Sequence, residues 1–140
     1  MRARLLLLGC VAVVACGPAA PLEDQLTITQ GLYGQLTQRC DGEGCVGAPR
    51  EGSPVGWFDV SPFSRDGGAA PQPLAETTSG RNGFYEFALD AGQRGYVAIG
   101  EPRTGSGTQW FTASSVFIPR GLARVDWQAG GNEGTWRDVK

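Results

Sequence analysis

From Leu26 onward, short runs rich in β-branched and aromatic residues alternate with clusters of Gly, Pro, Asn and Asp. That rhythm is the signal of strands and turns. It predicts strands at Leu26–Thr37, Val55–Ser61, Leu74–Thr78, Phe84–Leu89, Tyr96–Gly100, Gln109–Ile118 and Leu122–Gln128. Several runs show the period of two expected of a strand with one buried face. Tyr85, Phe87 and Leu89 alternate with Glu86 and Ala88, and Val125 and Trp127 are predicted inward with Arg124 and Asp126 outward. Asn82-Gly83 and Gly92–Gly95 read as turns, and Arg65–Pro73 as an exposed loop. Seven short strands in one domain's length of chain predict an all-β antiparallel sandwich.

The chain opens differently. Arg2 and Arg4 precede an apolar stretch, Leu5–Ala15, that ends in a small residue. This is the layout of a secretory leader, and the stretch is shorter than the roughly 20 residues a membrane-spanning helix requires. Val13-Val14-Ala15-Cys16 resembles the lipobox of bacterial lipoproteins. The resemblance implies a diacylglycerol on Cys16, which becomes the first residue of the mature protein. Leu7-Leu8-Gly9-Cys10 is a rival site, but cleavage there leaves only Leu5–Gly9 as the apolar core. Plain secretion with a chance cysteine is the alternative. The expected organisation is a signal peptide at 1–15, a tether at 16–25, a sandwich at 26–130 and a C-terminal tail at 131–140. By the same resemblance, Gly17 rather than Asp after the lipidated cysteine favours the outer membrane.

With Cys10 lost in the leader and Cys16 lipidated, the mature domain keeps Cys40 and Cys45. An even remainder in an oxidising compartment reads as one disulfide, closing a loop around Asp41–Gly44 and worth about 2 kcal/mol. A zinc site needs further ligands, and a redox pair usually has two intervening residues where this one has four. Both remain as alternatives.

Composition narrows the chemistry. The 22 glycines and 9 prolines among 140 residues disfavour helix. Removing Arg2 and Arg4 from the twelve basic residues leaves ten against fourteen acidic ones, a net charge near minus four. A surface of that sign argues against nucleic acid as a partner. The chain has no histidine, so Ser-His-Asp and Cys-His catalysis and His-ligated metal are ruled out. Glu43, Glu51, Asp59 and Glu133 are the acids considered for glycoside hydrolysis, but nothing in the sequence fixes two of them at a set separation. No Asp-rich calcium run is present, so no metal or other cofactor is expected.

The aromatic residues are the remaining candidates for binding. Trp57, Phe58, Trp110 and Phe111 form two adjacent pairs, and neighbours in a strand point to opposite faces. Each pair is therefore expected to place one ring inward and one outward, unless a bulge intervenes or a loop covers the outer ring. An outward ring is a candidate surface for a glycan or protein.

Thr77–Gly92, with its threonine-bearing strand, Asn-Gly turn and Phe-Tyr-Glu-Phe-Ala-Leu run, resembles the signature of carboxypeptidase-regulatory-like domains. Gly31–Gly34 and Val55–Val60 resemble that family's first two strands, and Asp90-Ala91-Gly92 stands where the family usually has Pro-Pro-Gly. The resemblance implies a transthyretin-like, Ig-like sandwich. Together these readings predict a non-catalytic, lipid-anchored protein of the bacterial envelope. It would display the sandwich for adhesion or protein–protein assembly at the cell surface or in the periplasm. A carbohydrate-binding module using exposed aromatics is the alternative, and a carboxylate-dependent hydrolase the third reading.

Overall fold

Nine strands make up about half of the described residues. The computed structural model describes residues 22–39, 47–64 and 70–129, together with the backbone of residues 136–139. The strands are β1 (Gly31–Thr37), β2 (Pro54–Phe58), β3 (Ala75–Thr78), β4 (Phe84–Ala88), β5 (Arg94–Pro102), β6 (Thr108–Phe117), β7 (Leu122–Arg124), β8 (Asp126–Ala129) and β9 (Trp136–Val139). They form two sheets, one ordered β3-β2-β5-β6, the other β4-β1-β8-β9 with β7 also paired to β1. The all-β sandwich read from the sequence is the observed architecture.

Alternation along each strand decides what lies between the sheets. Leu32 and Leu36 of β1, Tyr85 and Phe87 of β4 and Trp127 of β8 face Val55, Trp57, Val97 and Ile99 of the other sheet, with Ile118 closing the cluster. Trp127, Tyr85 and Phe58 are the largest side chains withdrawn completely from solvent. Burying a side chain of this kind contributes about 1.5–3 kcal/mol, so this cluster is the main source of cohesion. Val125 packs against it while Arg124 bonds Asp126 outside (Nε to Oδ2, 2.9 Å), as the alternation predicts.

Direction is where the structure departs from the expected antiparallel sandwich. β1 is antiparallel to β4, but parallel to β7 and β8, with Gly31–Tyr33 opposite Leu122–Arg124 and Leu36 opposite Trp127. Alternation reports which face a side chain takes and is silent about the direction of a distant strand.

β7 and β8 keep one register along β1 and are separated at Val125 by a local exchange of hydrogen bonds. The Val125 amide donates to the Tyr33 carbonyl at 2.9 Å, as a parallel ladder requires. The return bond, from the Gln35 amide to the Val125 carbonyl, is replaced: Gln35 N–H donates to Asp126 Oδ1 at 3.0 Å. The Val125 carbonyl instead turns inward over Gly34 and accepts the Tyr85 hydroxyl. A Cβ on Gly34 would lie 1.8 Å from that oxygen, so only glycine fits. Burial, with a smaller contribution from Asp126, holds the Tyr85 hydroxyl protonated well above the usual tyrosine range. The Trp127 indole works against that shift. Its N–H does not reach hydrogen-bond geometry and has no partner among the described residues.

Both ends of the expected domain layout change. Leu22–Gln25, assigned to the tether, is a short 3-10 helix with Leu22 buried. It begins a strap over the outer face of the β1 sheet: Glu23 pairs with Arg124 at 3.2 Å, and Thr27 donates its amide and hydroxyl to the Glu86 carboxylate. Near the start of β1, Gln30 bonds the carbonyl of Pro119 and the amide of Gly121. Tertiary contacts hold this segment, which no periodicity announces. At the other end, β9 lies in the expected tail and pairs antiparallel with β8.

Candidate functional site

The four aromatic candidates fall on the β3-β2-β5-β6 sheet. Trp57 points inward and joins the core. Phe58 points outward yet is 0 % exposed, because Trp110 packs on it edge to face, ring centroids 5.2 Å apart at 88°. Trp110 lies across a slot made by small residues. A Cβ on Gly56 would sit 2.7 Å from its Cη2, and one on Gly100 2.9 Å from its Cε3. Phe111 is the extra residue of a bulge, since pairing passes from Ile99 opposite Thr112 to Gly100 opposite Trp110. Trp110 and Phe111 are half-buried. Trp57 and Phe58 are thus sealed from solvent, while Trp110 and Phe111 stay half-buried, so the four do not form an open platform.

The exposed ring is elsewhere. Phe117 is 54 % exposed at the end of β6, where Val116 and Ile118 on either side turn inward. That alternation was legible in the sequence. Opposite Phe117 stands Arg94, whose guanidinium carbon lies 5.4 Å from the ring centroid, within cation–π range. The next outward pair is Tyr96 opposite Ser115. These four, with Asp59 just past β2 and with Gly95 and Val116, line an open groove of about 490 Å³. Arg94 and Asp59 form no ion pair with each other or with another described residue, which leaves one charge of each sign available in the groove.

Register places further apolar side chains at the same end of the sandwich, with Leu122 on the outer face of the other sheet. Among the described residues the exposed large hydrophobics are Val60, Phe63, Leu74, Phe117 and Leu122. Val60 and Phe63 follow β2, Leu74 precedes β3 with its amide on the Trp57 carbonyl, Phe117 ends β6 and Leu122 opens β7. All five lie at the end of the sandwich where β5 begins. Single exposed apolar residues are ordinary, whereas their gathering at one end makes that end the candidate surface.

Cys16, Cys40 and Cys45 lie outside the described residues, as do Glu43 and Glu133. The feet of the cysteine loop are held together, Gln38 N–H on the Ala48 carbonyl at 2.7 Å and Arg50 N–H on the Leu36 carbonyl at 2.8 Å. They stand at the opposite end of the sandwich from the groove. Glu51 accepts the Asn82 amide at 3.2 Å and precedes β2, whereas Asp59 follows it. A five-residue strand, about 17 Å, separates these two acids, so they do not converge. Among the described residues no cluster of three or more Cys, Asp or Glu is placed to hold a metal ion. Comparison with protein-family models, curated proteins and solved structures finds no match to this chain.

Proposed function

We propose that this chain is a non-catalytic protein of the bacterial envelope, anchored through a lipid on Cys16 and favouring the outer membrane, that displays a transthyretin-like sandwich for adhesion or assembly. The observation that carries the reading is the gathering of the five exposed large hydrophobics at the groove end of the fold. A surface with apolar side chains and a rim of Arg94 and Asp59 has the composition of a recognition face. The strap supports the geometry. It crosses the outer face of the β1 sheet, whereas the groove opens on the outer face of the other sheet. With Leu22 docked, five residues, 17–21, link the anchor to the domain and span at most roughly 17 Å. The anchor thus holds one face close to the bilayer and leaves the groove turned away from it.

Two measurements test this. Labelled palmitate is expected in the wild type and absent from Cys16→Ser; equal labelling would remove the anchor. The purified full chain, immobilised, is expected to retain envelope fragments, and Phe63→Asp with Leu74→Asp to reduce that retention at least fivefold. Unchanged retention in the double variant would reject this end of the sandwich as the working surface.

A further inference from the structure

We infer that the groove between Asp59, Arg94 and Phe117 binds a neutral saccharide unit of a glycan chain. Three properties point there. The groove offers a free carboxylate and a free guanidinium, so it has both a strong acceptor and strong donors with no net charge. Adjacent hydroxyls of a sugar donate to Asp59 and accept from Arg94 simultaneously, and the hydroxyls of Tyr96 and Ser115 add neutral partners. A carboxylate-bearing ligand would gain Arg94 and lose as much at Asp59, on a domain that is itself net acidic.

The second property is the apolar wall. Phe117, 54 % exposed, offers the C–H face of a pyranose the ring surface that the Arg94 guanidinium, 5.4 Å from its centroid, does not cover, and Tyr96 adds a second aromatic edge to the wall. Arg94 faces Phe117 and Tyr96 faces Ser115 across the strands, with the pairs two residues apart along β5. Outward side chains so arranged cover about 5 Å by 7 Å, the footprint of one sugar ring. The third is shape. About 490 Å³ falls in the range of ligand sites, and the groove is open to solvent on the sheet face, which suits one unit of a chain.

This inference rests on the display reading above and names the partner chemistry of its surface. The test uses the full chain in detergent and isolated envelope material treated either with periodate, which cleaves vicinal diols, or with protease. Binding is expected to survive protease and to fall at least tenfold after periodate. Binding lost to protease and retained after periodate would leave adhesion standing and overturn the saccharide; binding to neither untreated nor treated material would overturn both.

Affinity electrophoresis supplies the residue-level arm, with neutral glucan, mannan and xylan in the gel beside a polyuronate. At least one neutral polymer is expected to retard the protein, with Phe117→Ala and Asp59→Asn each weakening retardation at least tenfold and Gln109→Ala, at the other end of β6, leaving it unchanged. Both groove changes are at exposed side chains, so circular dichroism should match the wild type. Retardation by the polyuronate alone, or equal retardation of both groove variants and wild type, sinks the assignment.

Discussion

Replacing Gly34 with alanine tests the hydrogen-bond exchange at the centre of the β1 sheet. The added methyl group would lie 1.8 Å from the Val125 carbonyl oxygen and 2.8 Å from the Tyr85 hydroxyl. Both distances are below any real contact, and the nearer atom is backbone, so the β7–β8 junction must move. Overfilling a packed interior costs about 1–3 kcal/mol, and losing the Tyr85 bond leaves a buried carbonyl unpaired for about 1–3 kcal/mol more. A total of about 3 kcal/mol corresponds to a fall in Tm of roughly 12 °C for a domain of this size. Urea unfolding followed by tryptophan fluorescence reads it directly, since Trp127 lies two residues beyond Val125 in the core. Gly52→Ala is the control: its φ is +79° with nothing within 4 Å of the added Cβ, so it carries backbone strain alone, about 1 kcal/mol. In the double variant Gly34→Ala with Tyr85→Phe, both changes act on one carbonyl, and the combined loss is expected to be less than additive. A Gly34→Ala penalty no larger than that of Gly52→Ala would refute the seating of the Val125 carbonyl on Gly34.

Two further predictions follow from the same core and from the outer face. Tyr85 is an acid whose folded pKa is raised by burial, so the native state keeps a proton that the unfolded chain releases above pH about 10. Stability is therefore at its full value below pH 10 and is lost as pH rises beyond it, by up to about 1.4 kcal/mol per pH unit; chemical denaturation at pH 9 to 11 is expected to show that slope in the wild type and a smaller one in Tyr85→Phe. Gly56→Val places a side chain where Trp110 lies and is expected to swing that indole into solvent, uncovering Phe58. A red-shifted emission and a loss of about 1–3 kcal/mol in urea midpoint analysis are the expected readouts; an unshifted spectrum would mean that the slot does not hold Trp110.

Alternation and turn chemistry made most strands legible. The sequence predicts Phe84–Leu89 where β4 runs Phe84–Ala88, and Gln109–Ile118 where β6 runs Thr108–Phe117, because each is a run rich in aromatic or β-branched residues that follows a glycine turn. The inward placement of Trp127 and the outward placement of Arg124 follow from the same period. The strap was hidden, since the buried Leu22 stands in a segment without apolar periodicity and Glu23 by itself does not point to Arg124. The proposed binding surface was half-visible. Adjacent aromatic pairs correctly imply one outward ring each, but whether that ring meets solvent depends on what crosses it.

The sequence by itself determined the class: strand periodicity, frequent glycine and proline, and apolar positions enough for one sandwich core. Its leader carries the expectation of an envelope address, and the lack of histidine limits the chemistry on offer. Tertiary structure alone decided direction and exposure. β1 runs parallel to β7 and β8 because strand pairing is settled by the global packing of the two sheets. Phe58 is sealed because Gly56 and Gly100 let Trp110 lie over it, whereas Phe117 at the far end of β6 stays exposed with only the Arg94 guanidinium near its ring among the described residues. A side chain's face is a local property of the backbone, whereas its cover depends on residues distant in the chain.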